Sequence, residues 1–206
     1  VVSLPEPWQP DKLKKALSAL LPNDIWIESV QPVSSDFHPR FDAIARTYIY
    51  HLGLSEAAGS PFERPWCWPL KADLDTTLLE EAAGFLEGKH NFKAFAKSGQ
   101  PDRGYSCTIH KACWEPWLHL GLTFQITANR FLHHMVRYLV GTMVDVGWRK
   151  RPLKDIQRLL DGSVRDLRTS PPAPPNGLFL QHVAYPGKPL NPSKKQILKP
   201  SDEMNS

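Results

Sequence analysis

The sequence predicts an α+β protein in which a mixed, largely antiparallel sheet is flanked by helices. Helical and strand patterns alternate along the 206 residues without the tight strand–helix–strand rhythm of a doubly wound parallel sheet. Two strand patterns, at residues 107–114 and 118–127, follow one another closely and predict a hairpin with its turn at Glu115 and Pro116. Residues 130–150 carry apolar side chains around most of a helical circumference, which is typical of a helix packed on several sides.

The part of the chain before the hairpin combines one helix with several strand patterns. Residues 10–21 place an apolar stripe on one helical face, and Pro10 suits the first turn of that helix. Short strands are predicted at residues 1–4 and 25–30. Residues 45–54 are rich in aromatic and β-branched side chains, so they predict a longer strand.

The remaining segments predict loops, shorter helices and one last strand. In chain order they are a loop at 53–69, a helix at 73–87, a short helix followed by a polar loop at 98–104, a helix at 153–160, a stiff proline-rich connector at 170–177 and a strand at 178–185. We expect one domain over residues 1–187 and a polar tail over residues 188–206.

The charge distribution favours an anionic partner. The formal net charge is only +4, but seven Lys or Arg and two acids lie between residues 130 and 158. Such a basic segment can follow a phosphate backbone. A solvated helix end has the same composition, because cations are stabilised near helix C-termini.

The cysteine content points to a reducing compartment. Three cysteines without CxxC spacing argue against a disulfide framework and against a structural zinc site. A cytoplasmic location is therefore expected. The sequence also contains neither an apolar run of membrane-spanning length nor a signal-peptide pattern, so no association with a membrane is expected.

Arg137 lies in the middle of the most apolar helical pattern. His133 precedes it by one turn and Gly141 follows by one turn, which places all three on one face if the helix is continuous. A guanidinium stays protonated, so its burial requires an anionic partner. The pattern therefore predicts a cation presented to an acid elsewhere, unless the side chain extends into solvent.

Common catalytic motifs are absent from the sequence. It contains no GxSxG, Walker loop, HExxH or GxGxxG pattern. The neighbouring His133 and His134 would point to different faces of a helix, which makes them a poor metal chelate. A metal-dependent hydrolase using His38 and Asp36 is a remaining alternative, and we expect no metal.

Four sequence blocks identify a family. FHPRFDAIARTYIY, GKHNFKAF, FLHHMVRYLVG and APPNGLFLQHVAY occur in this order, and together they resemble the tRNA pseudouridine synthase A (TruA-type) family from Val1 to about Tyr185. The resemblance implies an isomerase acting on uridines in the anticodon stem-loop of tRNA. Such an enzyme detaches the base nitrogen from ribose, turns the base and rejoins it through carbon. It also implies a mixed sheet flanked by helices, a homodimer, and no cofactor or metal.

The resemblance assigns roles to particular residues. Tyr48 corresponds to the active-site tyrosine, whose ring can stack on an extruded uracil and whose phenol can assist the final removal of a proton. Arg137 corresponds to the basic residue that pairs with the catalytic aspartate. Further candidates for RNA contact or the pocket wall are Arg46, Arg40, His38, His133, the cluster at 149–151, Leu178 and Leu180.

The sequence departs from the family at the catalytic aspartate. The expected RTDxGVHA-like motif does not occur, and Asp36 and Asp42 lie in other motifs. The family places this motif just before the strand that VVSL resembles. We therefore expect a C-terminal portion of the enzyme, incomplete at its N-terminus and inactive alone. The alternative is a non-catalytic module that binds tRNA.

Overall fold

A computed structural model describes residues 1–4, 8–70, 73–97, 104–162 and 166–187. It divides the chain into two compact units, Val1–Ala43 and Ile44–Ser206, which we call the first and second unit. The predicted tail at 188–206 and most of the predicted loop at 98–104 lie outside the described residues. The domain boundary predicted at residue 187 therefore stays a prediction.

The first unit contains the helix α1, Pro10–Leu20, as the sequence predicts. Pro10 stands at its first turn, where a missing N–H costs no hydrogen bond. None of its residues is buried. The strands predicted at 1–4 and 25–30 are wrong, because neither segment joins a ladder within the described part of the chain. A strand depends on the backbone groups of a neighbouring strand, and local composition does not supply one.

The second unit is built on a six-stranded mixed sheet. Its strands are β1 Ala45–Gly53, β2 Trp68–Pro69, β3 Gly88–Asn91, β4 Ser106–Trp117, β5 Gly121–Ala128 and β6 Leu178–Ala184. The order is β2-β1-β5-β4-β3, and β6 also pairs with β1. All these pairings are antiparallel except that of β1 with β2. The predicted fold class is therefore confirmed.

The hairpin of β4 and β5 is longer than the sequence predicts. Its turn does not lie at Glu115 and Pro116, because both residues pair with β5 and the strand continues to Trp117. The chain reverses at Leu118 instead, which adopts a left-handed conformation with φ of 49°. Gly121 follows, and any side chain there would collide with the carbonyl of Leu52 in β1.

Three α-helices lie in the described part of the second unit. They are α2 Thr76–Gly84, α3 Met135–Gly147 and α4 Lys154–Asp161. A carboxylate oxygen of Asp75 caps α2 by accepting a hydrogen bond from the backbone N–H of Leu78 at 3.2 Å. The short helix predicted near residue 93 is a single 3-10 turn, Lys93–Phe95, that follows β3. None of the helices within the described residues has the length and apolar character needed to cross a membrane.

The helix α3 is shorter than the predicted 130–150. His134 has a φ of 64° and a ψ of 5°, so the chain before Met135 forms a turn rather than a helix. The expectation that His133 shares a helical face with Arg137 is therefore wrong. Gly141 does lie one turn after Arg137 on α3.

The core of the second unit lies between α3, α2 and one face of the sheet. Alternate residues of β1 and β5, including Tyr50, Leu52, Phe124 and Ile126, are fully buried there. Most of α3 is buried as well, in agreement with its apolar pattern. By alternation, Arg46 and Tyr48 lie on this same face of β1, towards one end of the strand.

Candidate active site at Tyr48 and Arg137

Tyr48 lies where the core meets the surface. It stands opposite Ile126 of β5 and Leu180 of β6, and its side chain is half-buried. The ring of Phe131 packs edge-on against the Tyr48 ring with a centroid separation of 5.0 Å. Tyr48 is thus held on a rigid central strand, while part of its ring remains accessible.

The last strand places two leucines beside the tyrosines. Leu178 pairs with Tyr50 and Leu180 pairs with Tyr48, and residues that pair across strands project from the same face. Leu178 packs against the core, whereas Leu180 is 52% exposed. The structure therefore brings both predicted wall residues to the Tyr48 face of the sheet.

Arg46 completes this row on β1. Its Nη1 donates a hydrogen bond to the Asn129 carbonyl oxygen at 3.0 Å. Because Arg46 lies two residues before Tyr48, its side chain projects from the same face. This cation and the apolar wall therefore border Tyr48 from different sides.

Arg137 is half-buried and is held by backbone groups. Its Nε donates to the Ala173 carbonyl oxygen at 2.6 Å, and the Ala173 N–H donates to the Arg137 carbonyl oxygen at 2.9 Å. None of the ion pairs formed among the described residues includes Arg137. The guanidinium is therefore anchored through Nε, and its other nitrogens have no carboxylate partner in that part of the chain.

The segment that holds Arg137 is the proline-rich connector, residues 170–177, which we call the strap. Gly141 allows it to pack closely on α3, because a side chain there would collide with the Pro171 carbonyl. The phenol of Tyr50 donates to the Pro174 carbonyl oxygen at 2.7 Å. The strap then leads directly into β6 and so positions Leu178 and Leu180.

Tyr50 connects the two halves of the site. Burial raises the pKa of its phenol well above the usual value, and the charge of Arg137 partly opposes that rise. The phenol therefore remains a hydrogen-bond donor at physiological pH. The charge of Arg137 is therefore felt by Tyr50, which lies two residues from Tyr48 on the same strand face.

His133 lies in a turn with His134 and is contacted by Lys97, and the sequence did not indicate Lys97 or His134 as RNA contacts. The Lys97 N–H donates to the His133 carbonyl oxygen at 3.0 Å, and the rings of His133 and His134 are 4.2 Å apart. Sequence reasoning missed Lys97 because it is remote in the chain. It considered His134 only as a metal ligand.

His38 and Arg40 lie in the first unit and form a local turn. The imidazole Nδ1 of His38 accepts from the N–H groups of Arg40 at 3.2 Å and Phe41 at 3.3 Å. The Asp42 carboxylate accepts from the His38 N–H at 2.8 Å. Asp42 thus stabilises this turn, and the roles predicted for His38 and Arg40 stay predictions.

The basic residues at 149–151 make contacts within the protein. Arg149 pairs with Asp75 at 2.7 Å, and Arg151 pairs with Asp155 at 3.4 Å. The ammonium of Lys150 lies 4.1 Å from the centroid of the Trp148 ring. These contacts give each cation a partner within the protein, and the predicted role of residues 149–151 in RNA contact stays a prediction.

The structure gives no support to a metal-dependent hydrolase. Across the described ranges, no three His, Cys, Asp or Glu side chains converge in a way that would hold a metal ion. The close rings of His133 and His134 are accompanied by cations, and a metal ion would instead need further ligands that are neutral or negatively charged.

The fold and the site define an α+β protein with a tyrosine and an arginine on the helix-covered face of its sheet. The family model described as "tRNA pseudouridine synthase" matches residues 82–186. Curated relatives cover most of the chain as well. The chain therefore belongs to the tRNA pseudouridine synthase family.

Three relatives illustrate the similarity, and each is named tRNA pseudouridine synthase A. The protein of Geobacter sp. (strain M21) is 36% identical over 178 residues, which cover 84% of this chain and 69% of the relative. The protein of Chlamydia trachomatis (serovar L2b) is 38% identical, with 86% and 65% covered. The protein of Leuconostoc citreum is 36% identical, with 91% and 72% covered. The chain thus spans about two thirds of the length of these relatives.

Proposed function

We propose that this protein acts in converting uridine to pseudouridine in tRNA. Its family membership supports this reaction. The observation that carries the proposal is the half-buried guanidinium of Arg137, fixed at Nε and without an ion pair among the described residues. Such a group is suited to hold a catalytic carboxylate ionised and oriented.

The geometry suggests a role for each group in the reaction. The Tyr48 ring provides an aromatic face on which an extruded uracil can stack. The bond between ribose and the base nitrogen then breaks, a bond from ribose to a base carbon forms, and that carbon loses its proton. The Tyr48 phenol assists the loss of this proton, while Arg137 orients the carboxylate that attacks or deprotonates. Leu178 and Leu180 form the apolar wall beside the base.

A complete site requires an aspartate that these 206 residues do not present in the family's motif. We propose that the chain alone binds tRNA without turning it over. The test is release of tritium from tRNA labelled at C5 of uracil. We expect none from this chain and release from the polypeptide expressed from the whole reading frame, which we call the full-frame protein. Turnover by the 206-residue chain would contradict the assigned need for that aspartate.

The second candidate is a tRNA-binding module without catalytic activity. The aspartate motif does not occur within these 206 residues, which is compatible with either candidate. The same assay separates the two candidates. If the full-frame protein binds tRNA but releases no tritium from it, the protein is the binding module.

We further propose that the target lies in the anticodon stem-loop and that the protein is a cytoplasmic homodimer. The family resemblance supports both the anticodon stem-loop as the target and the homodimer. The three free cysteines, Cys67, Cys107 and Cys113, fit a reducing compartment. An isolated anticodon stem-loop should compete with whole tRNA for binding, and light scattering of the full-frame protein should give twice the monomer mass. A monomer, or a stem-loop that does not compete, would contradict these parts of the proposal.

A further inference from the structure

Three basic residues come together where the chain after the 3-10 turn Lys93–Phe95 meets the turn that precedes α3. The Lys97 N–H donates to the His133 carbonyl oxygen at 3.0 Å, which ties the chain after the 3-10 turn to residues 131–134. The His133 and His134 rings lie 4.2 Å apart. We call Lys97, His133 and His134 the basic cluster. Arg137 lies close to it on the first turn of α3.

The basic cluster is not neutralised by acids of the described chain. Desolvation lowers the pKa of His134, and the charges of His133, Arg137 and Lys97 lower it further. Every charged group acting on His134 is thus a cation. No ion pair among the described residues involves any member of the cluster. The neighbouring cations therefore place His134 in a positive potential, and its imidazole retains an N–H donor.

The same turn contacts the candidate catalytic tyrosine. Phe131, two residues before His133, packs edge-on against Tyr48 at 5.0 Å. A nucleotide whose base lies on Tyr48 must carry its ribose and flanking phosphates past neighbouring protein surface. The basic cluster belongs to that surface, and Lys97 and His133 are exposed.

The side chains of the cluster match a phosphate in particular. A lysine ammonium and imidazole N–H groups are all donors to phosphate oxygens, and contacts of this kind position a nucleic acid without reading its bases. A metal ion would be opposed by the cations Lys97 and Arg137 beside the two imidazoles. The neighbouring Arg137 would be occupied by the catalytic carboxylate, so the cluster offers a phosphate donors that the proposed chemistry does not use.

We propose that Lys97, His133 and His134 bind one backbone phosphate adjacent to the nucleotide whose base stacks on Tyr48. This inference rests on the proposed function, since it assumes that RNA occupies the site. It adds a positioning contact to the proposed chemistry.

The first test measures tRNA affinity of the 206-residue chain across a salt series. Lys97→Met keeps the backbone N–H that bonds His133 and removes one charge. We expect the affinity to be several-fold weaker in ~0.1 M salt. We also expect the slope of log K against log salt concentration to be less steep by about 0.7 to 0.9. Lys89→Met is the matched control, because Lys89 is exposed on the edge strand β3. It should leave both quantities nearly unchanged.

The second test locates the phosphate. Anticodon stem-loops are prepared with a single neutral methylphosphonate in place of each loop phosphate in turn. At one linkage, the affinity difference between the wild-type chain and Lys97→Met should disappear, because the charge that Lys97 contacts is already gone. His133→Ala should give the same pattern at the same linkage.

The outcomes separate this inference from the proposed function. If wild-type chain binds tRNA while Lys97→Met behaves like Lys89→Met, the phosphate site is wrong and the proposed function stands. A difference that persists at every methylphosphonate position also overturns the site, since it indicates a diffuse electrostatic effect. If the wild-type chain does not bind tRNA, the proposed function fails and this inference fails with it.

Discussion

Two arginine environments in the second unit differ in how the charge is balanced. Asp155, only 7% exposed, accepts from Arg151 at 3.4 Å and from Arg158 at 3.1 Å. Arg137 is half-buried, and its side chain donates a hydrogen bond to the backbone carbonyl of Ala173 instead of a carboxylate. Arg151 and Arg158 both have a carboxylate partner within the described chain. Arg137 lacks an anion there, which marks it as the arginine prepared for a group from elsewhere.

The local sequence explains the difference. Asp155 lies four residues after Arg151 and three before Arg158, so all three project from neighbouring positions at the start of α4. On α3, apolar residues surround Arg137, and Gly141 admits the strap instead of an acid. A satisfied arginine contributes to stability, whereas an arginine without an acid is available for chemistry.

Replacing the two kinds of arginine should therefore affect turnover to very different extents. In the full-frame protein, Arg137→Met should lower kcat by about 100-fold or more, because the carboxylate loses the donors that orient it. Arg158→Met removes the same charge from α4 and should change kcat by less than about 3-fold. Tritium release from tRNA measures both. Equal losses in the two variants would contradict the comparison.

Removing the shared acid should affect stability rather than turnover. Asp155→Asn leaves the mostly buried Arg151 without its carboxylate, and Arg158 adds little because it is more exposed. We expect the free energy of unfolding to fall by about 1–3 kcal/mol. Urea unfolding of the 206-residue chain provides the measurement. Unchanged stability would show that the group around Asp155 is not the structural counterpart of Arg137.

The two tyrosines of β1 extend the same contrast. Tyr50→Phe removes the hydrogen bond to Pro174 and should cost about 1 kcal/mol of stability, since the partly buried carbonyl loses a donor. Tyr48→Phe keeps the stacking surface and should change stability by less than about 0.5 kcal/mol. In the full-frame protein, however, Tyr48→Phe should lower turnover while tRNA affinity is retained. Unchanged turnover would mean that the Tyr48 phenol has no chemical role.

The smallest expected effect concerns pH and the Asp75–Arg149 pair. The hydrogen bond from Arg149 lowers the pKa of Asp75 below its ordinary value of 3.8. The contribution of Asp75 to stability is therefore present above that value and is lost as the pH falls through its lower folded-state pKa. Asp75→Asn should flatten the dependence of unfolding free energy on pH below about 4, and Asp73→Asn is the control. An identical pH profile for both variants would exclude this contribution.

Much of the second unit could be predicted because its signals are local. The aromatic and β-branched run of β1 and the proline before α4 sit in segments that fold as those signals indicate. The failures have non-local or backbone causes. Residues 25–30 resemble a strand but lack a pairing strand within the described chain, and the left-handed His134 ends a helix whose apolar pattern runs further.

The candidate site could be predicted only in part for the same reason. The family resemblance indicated Tyr48 and Arg137 directly. Tyr50 was missed because its hydrogen bond joins residues 124 positions apart. Lys97 was missed because its link to His133 depends on how the chain after β3 packs against the turn before α3. Contacts of this range follow from the assembled sheet and leave no periodic signal in the sequence.

The most direct test of the central claim is a structure of the full-frame protein bound to its tRNA. We expect the free nitrogens of Arg137 to lie within roughly 4 Å of a carboxylate that is not among the described residues, with a uracil stacked on Tyr48. Arg137 in solvent, or paired with an acid of the second unit away from Tyr48, would contradict the account.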